Sequence, residues 1–252
     1  MLDLSGKVAL VTGGSRGIGA GVAELLARVG ADVVLTYASN RIAAERVAKE
    51  IRSFGPRCLA VRADSSRSSD VRRAVRTAIK HFGHIDILVN NAGIWTYGAI
   101  GKMKERTWDD TMDINLKGTF LFCNEVAPYM KKRRWGRIIN ITSTAGQRGE
   151  PFHSHYAASK AGVTAFSKSI GGELAAHGIL VNCVAPGWVD TDLSATALRI
   201  PSSLREITKT IPNRRVASAE DIAGAVLFLA SEFSSHLVGS TISVNGGGVM
   251  VG

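Results

Sequence analysis

Short apolar, β-branched runs recur along this chain, each separated from the next by a longer stretch with helical periodicity. The runs cover 8–11, 32–35, 58–61, 85–89, 137–141, 179–184 and 241–244. Several are apolar nearly throughout, as expected of strands buried on both faces. The intervening stretches carry apolar residues three and four apart, as in Ile18, Val22, Leu25 and Leu26, or Val71, Val75, Ile79 and Phe82. Alternation of this kind predicts a parallel sheet, and right-handed crossovers place helices on both of its faces. The expected fold is α/β: a doubly wound parallel sheet of about seven strands. No tandem repeat or linker interrupts the pattern, so 1–252 reads as a single domain. The segment at about 188–216, with Pro201 and Pro212, is less regular and is expected to leave the sheet as a substrate-loop excursion.

Composition excludes several classes. With 45% hydrophobic and 21% charged residues the chain is neither disordered nor a coiled coil. No run approaches the roughly 18 apolar residues of a membrane span. Met1-Leu2-Asp3-Leu4-Ser5-Gly6-Lys7 is not the pattern of a secretory leader. Cys58, Cys123 and Cys183 are few and far apart, which points to a reducing, cytoplasmic setting. The net charge of +10 favours anionic partners. Its densest block, Lys131-Lys132-Arg133-Arg134, reads as a solvated helix end, where cations suit the dipole. No aromatic–basic module or recognition helix accompanies the charge, so nucleic acid is not an expected partner.

The first strand runs into Thr12-Gly13-Gly14-Ser15-Arg16-Gly17-Ile18-Gly19, which opens a helix. Glycines let a backbone turn sharply and approach a pyrophosphate, and the helix N-terminus offers it free N–H groups. Gly13, Ser15, Arg16, Gly17, Ile18 and Gly19 are therefore candidate dinucleotide contacts. An acid ending the second strand would bind a ribose 2′-hydroxyl and mark NAD. The chain reads Leu35-Thr36-Tyr37-Ala38-Ser39-Asn40-Arg41, without one. Tyr37, Ser39, Asn40 and Arg41, with Arg16, would instead accept a 2′-phosphate, so NADP(H) is the expected cofactor.

Tyr156 and Lys160 are four apart in a run of small residues, which puts both on one helix face. A free tyrosine, with a pKa of about 10, exchanges protons poorly near neutrality. A nearby ammonium would lower that value and make the phenol a proton donor and acceptor. Ser143 follows the strand at 137–141, at the edge of the sheet where ligands bind in this architecture.

These motifs, in this order, resemble the short-chain dehydrogenase/reductase family over nearly the whole chain. Gly13, Gly17 and Gly19 match its cofactor turn, and Asn90-Asn91-Ala92-Gly93 its motif after the fourth strand. The resemblance implies a Rossmann sheet and hydride transfer between NADP(H) and a carbonyl or secondary alcohol. It implies that Ser143 hydrogen-bonds the substrate oxygen, that Tyr156 donates the proton and that Lys160 lowers the Tyr156 pKa and binds the nicotinamide ribose. Asn115 would anchor a relay water. Further implied cofactor contacts are Asp64 at the adenine, Ser65, Asn91, Ala92, Gly93, and the segment with Pro186, Gly187, Val189 and Thr191. Val244-Asn245-Gly246-Gly247 resembles the family's Val-Asp-Gly-Gly, with Asn for Asp. The pattern is most similar to bacterial 3-oxoacyl-[acyl-carrier-protein] reductases, implying a small carbonyl or alcohol substrate, carrier-bound or free, and a homotetramer. A sugar, polyol or xenobiotic ketone reductase is the alternative on the same machinery. A non-catalytic dinucleotide sensor would have lost the serine, tyrosine and lysine, all present here.

His153 and His155, two apart, do not share a helix face, and no acid or cysteine cluster completes a metal set, so no metal is expected. Trp95, Tyr97, Phe152 and Trp188 follow strand ends or motif segments and are candidates for an apolar substrate wall. Asn140-Ile141-Thr142 matches a glycosylation sequon but lies in an expected buried strand. Val249-Met250-Val251 is an apolar tail suited to a subunit interface.

Overall fold

The computed structural model describes residues 2–251. Seven parallel strands form one sheet in the spatial order β3-β2-β1-β4-β5-β6-β7. In chain order β1 (Val8–Val11), α1 (Gly17–Arg28), β2 (Asp32–Tyr37), α2 (Arg41–Ser53), β3 (Cys58–Arg62), α3 (Ser68–Phe82) and β4 (Ile87–Asn90) build one half. The other contains α4 (Glu105–Met112), α5 (Gly118–Arg133), β5 (Gly136–Ile141), α6 (Thr144–Arg148), α7 (Ser154–Ala175) and β6 (Ile179–Pro186). It ends with α8 (Ala195–Leu198), α9 (Pro201–Thr210), α10 (Ala219–Ala230) and β7 (Thr241–Val244). The direction of winding reverses between β1 and β4. That reversal opens a crevice at the carboxyl ends of the strands, where ligands bind in doubly wound sheets.

Side-chain alternation within each strand divides the core in two. Ala9, Val11, Val33, Leu35 and Ile139 pack against α1, α2 and α10 on one face. Val8, Leu10, Val34, Leu88 and Ile138 pack against α3, α5 and α7 on the other. β1, β4, β5 and β6 are buried at every position, which accounts for the apolar runs of β1, β4 and β6, while β5 also buries Arg137 and Asn140.

Several strand limits differ from the sequence expectation. β4 begins at Ile87 rather than at 85, because the buried Asp86 carboxylate accepts the Val8 N–H at 2.9 Å. β2 extends to Tyr37 through pairing with Arg62 of β3, and β6 extends to Pro186 opposite Val244. Between β6 and α10 the chain leaves the sheet through α8 and α9, and an isolated pairing of Val189 with Ala217 closes its base. No residue of α9 is buried. Lys131, Lys132 and Arg133 form the last turn of α5, with Arg134 its left-handed C-cap at φ 53°. Asn140 is fully buried in β5, and the three cysteines are free and buried. Met250 is 82% exposed. No described helix is long and apolar enough to cross a membrane.

Candidate active site

The glycine turn is held from both sides. The Thr12 hydroxyl accepts the N–H groups of Asn91 and Ala92, each at 3.0 Å. The Asn91 amide donates to the Thr12 and Gly13 carbonyls at 3.0 and 3.2 Å. The crossing is so close that a Cβ on Gly19 would lie 2.3 Å from the Gly13 oxygen. Gly17 adopts φ 53°, and a Cβ there would meet Thr191 at 3.2 Å. Arg16 is the N-cap of α1 but makes no side-chain cap, so the first-turn N–H groups are left for another acceptor. A glycine cradle with no room for side chains, leading into an uncapped helix, fits a dinucleotide pyrophosphate.

The predicted cofactor residues surround this crevice in different states. Ser15 and Ser65 are buried, Gly118 allowing the close approach of Ser65. Ile18, Asn91 and Gly93 line the main cleft with Pro186, Gly187, Val189 and Thr191. Tyr37 lies in the core beside α1 and α2. Asn40 caps α2, its side-chain oxygen accepting the Ala43 N–H at 2.9 Å, with exposed Ser39 and Arg41 beside it. Asp64 binds the Ser66 hydroxyl at 2.7 Å and pairs with Arg67 at 3.2 Å. Arg16 reaches Asp192 at 3.5 Å, both side chains well exposed, a weak pair that screening makes easy to exchange. Arg62, which the sequence reading missed, donates to the Ala38 carbonyl at 3.2 Å and adds a cation near the end of β2.

Ser143, Tyr156 and Lys160 converge on one open cleft of about 870 Å³. Ser143 leaves β5 in an extended conformation and caps α6, its hydroxyl oxygen accepting the Ala145 N–H at 3.0 Å. Gly146 lets α6 lie directly on α7: a Cβ there would be 2.7 Å from the Ala161 nitrogen. That contact brings Ser143 to Tyr156. Lys160 is buried and donates to the Ile141 carbonyl at 2.7 Å, its Nζ 5.9 Å from the centre of the Tyr156 ring.

The electrostatics depart from the sequence expectation. Burial pushes the Tyr156 phenol up to about 12; the Ser143 hydroxyl opposes that rise and the nearby Glu150 carboxylate adds to it. Burial pulls the Lys160 ammonium down to about 8. Lys160 does not bring Tyr156 towards neutrality in this arrangement. Its ammonium is committed to a backbone carbonyl, and both groups are removed from water, which disfavours charge on either.

Asn115 sits in a π-helical turn, Asp113–Lys117, between α4 and α5. Its side chain makes three hydrogen bonds within the protein. Oδ1 accepts the Ile94 N–H at 2.8 Å, and Nδ2 donates to the Ile94 carbonyl at 3.0 Å and to the Ser159 hydroxyl at 3.1 Å. Asn115 positions the segment following β4, at Ile94, against α7.

Trp95 and Trp188 wall the cleft, meeting edge to face with centroids 6.0 Å apart. His153 stacks on Trp95 at 4.4 Å. His155 is buried against Thr96 at 2.9 Å, and burial lowers its pKa. Tyr97 and Phe152 stack on each other outside the cleft, 68% and 59% exposed. Among the described residues no group of His, Cys, Asp and Glu could hold a metal ion. Glu150, in the cleft wall, carried no sequence signal.

Comparison with known proteins bears on this site. The family described as Enoyl-(Acyl carrier protein) reductase matches residues 13–248. The chain is 41% identical over 242 residues to a 3-oxoacyl-[acyl-carrier-protein] reductase FabG of Staphylococcus epidermidis, covering 96% of this chain and 98% of that one. It is 41% identical over 251 residues to a 3-oxoacyl-[acyl-carrier-protein] reductase of Synechocystis sp., covering 99% and 100%. Among solved structures, levodione reductase superposes with a TM-score of 0.93 at 29% identity, over 96% of this chain and 97% of its own.

Proposed function

We propose that this chain, which belongs to the short-chain dehydrogenase/reductase family and is a nicotinamide-dependent oxidoreductase acting on carbonyl and alcohol carbons, reduces 3-oxoacyl thioesters with NADPH. One observation carries the reading: the Ser143 and Tyr156 hydroxyls share one cleft, where both can reach a single substrate oxygen. Two hydroxyl donors converging on one oxygen suit protonation of a carbonyl as it is reduced.

The glycine turn, Ser15 and the first turn of α1 would hold the pyrophosphate, with Arg16, Ser39, Asn40 and Arg41 at the 2′-phosphate. Pro186, Gly187, Val189 and Thr191 would hold the nicotinamide end. When bound, the nicotinamide supplies the hydride, a chemistry no side chain can supply. Ser143 spends its acceptor on the Ala145 N–H, leaving its own hydrogen to donate to the substrate oxygen. Tyr156 donates a second hydrogen to the same oxygen and transfers its proton as the alkoxide forms. Lys160, its Nζ 5.9 Å from the Tyr156 ring centre, would be the cation nearest the resulting phenolate. Trp95 and Trp188 exclude water from the reacting carbon.

The acyl-thioester reading rests on relatives matched over their full length. The 2′-phosphate reading rests on a β2 end without an acid and bordered by Arg16, Arg41 and Arg62. A carrier-bound substrate, a homotetramer and a cytoplasmic setting belong to the same proposal. The indole walls, with the likeness to levodione reductase, favour a cyclic ketone as the second reading. The test is consumption of NADPH and NADH with a 3-oxoacyl thioester, a 2-enoyl thioester, a cyclic diketone and a sugar. The reading requires preferential turnover of the 3-oxoacyl thioester with NADPH. Preference for the enoyl thioester, the diketone or NADH overturns it in the corresponding part.

A further inference from the structure

We infer that Glu150 is a charge filter on the substrate, admitting neutral carbonyl compounds and rejecting carboxylate anions such as free 3-oxo acids. The inference rests on the proposed carbonyl reduction, and extends it by naming what excludes the hydrolysed form of the substrate.

The Glu150 carboxylate lines the same cleft as Ser143 and Tyr156. It does not swing free. Oε2 accepts the Trp95 indole N–H at 3.3 Å, and Trp95 is fixed by its stack on His153 and its edge contact with Trp188. Only 20% of the Glu150 side chain is exposed. The cleft is otherwise lined near it by neutral side chains, among them Trp188 and Leu193.

The other charges facing the cleft do not cancel it. Arg148 is exposed at the mouth, where solvent screens it. The Lys160 ammonium is buried and bound to the Ile141 carbonyl. His153 lies 3.9 Å from Glu150, but its Nδ1 is turned to the nearer Pro151 carbonyl at 3.1 Å. Glu150 is thus a fixed, poorly hydrated negative charge beside the reacting carbonyl. Its reach to the reacting groups is visible in its effect on Tyr156, whose ionisation it hinders. A substrate carboxylate would be desolvated next to a like charge, whereas an ester or thioester of the same acid would not.

The test compares kcat/KM for ethyl acetoacetate and for acetoacetate at about pH 8, with NADPH, in the wild type, in Glu150→Gln and in Glu150→Asp. Gln keeps an acceptor for the Trp95 N–H, and Asp keeps the charge. The ester-to-acid ratio is expected to fall roughly tenfold or more in Glu150→Gln and to stay near wild type in Glu150→Asp. Quenching of tryptophan fluorescence by acetoacetate, reporting binding without turnover, should tighten in Glu150→Gln alone. An unchanged ratio in a Glu150→Gln protein that still reduces the ester overturns the filter and leaves the proposed function standing. Reduction of neither compound by the wild type overturns both. Loss of folding in Glu150→Gln leaves the decision to the other two: a Glu150→Asp ratio far from wild type, or a wild type that turns over ester and acid alike, refutes the filter.

Discussion

Lys160 donates to the Ile141 carbonyl at 2.7 Å, so the cation of the site is anchored to the end of β5 rather than to the phenol one helical turn away. With its pKa drawn from 10.5 to about 8, the folded protein binds fewer protons than the unfolded chain between those two values. Stability therefore rises with pH through that window, and below it the buried ammonium is a standing cost. Lys160→Met should abolish turnover yet raise the free energy of unfolding at about pH 7 by on the order of 1–2 kcal/mol, the relieved desolvation less one lost hydrogen bond. The gain should shrink as the pH approaches 10.5. Urea unfolding at both pH values measures it, and a variant less stable than wild type at neutral pH contradicts the argument.

Tyr156→Phe removes the donor while keeping the ring packed against Ala145 and Trp95. Turnover should fall by about 10²–10⁴-fold, the usual contribution of a general acid. NADPH affinity, followed by its fluorescence, should change little. Near-normal turnover would show that another group protonates the alkoxide.

Asn115→Ala removes the partner of both half-buried Ile94 backbone groups, and leaves the buried Ser159 hydroxyl with only the Tyr156 carbonyl. The expected loss is about 2–4 kcal/mol of stability. Because the side chain acts through position, Ser159→Ala, which removes one of its partners, should cost only about 1 kcal/mol. Chemical denaturation separates the two, and equal costs would count against the clamp.

Gly19→Ala tests the cradle. The added Cβ must displace the Gly13 carbonyl, 2.3 Å away, and so opens the turn. NADPH binding should weaken by roughly tenfold or more, since the backbone approach to the pyrophosphate depends on that crossing. Gly172→Ala is the control: within α7, with nothing within 4 Å of a Cβ, it should stabilise by about 0.5–1 kcal/mol. Isothermal titration and thermal melts read both.

Strand and helix order were legible from residue type because each is a local pattern. A strand buried on two faces has few sequences open to it, and Val8–Val11 is one. The turn at Gly13 was legible because φ 63° there excludes most side chains. Ser143, Tyr156 and Lys160 were legible by resemblance, and the fold does bring them to one cleft. The partners of the Asn115 side chain were not legible, since Ile94 and Ser159 lie far from it in sequence.

The chain by itself determined the sheet, its winding and the glycine cradle, all of which follow from hydrophobic period and backbone sterics within a few residues. Tertiary structure alone decided the partner of Lys160, the high pKa of Tyr156 and the carboxylate of Glu150 in the cleft wall. These depend on burial and on contacts across β5, α6 and α7. A backbone carbonyl such as that of Ile141 is present at every residue, so nothing in the identity of position 141 announces which one the ammonium will take.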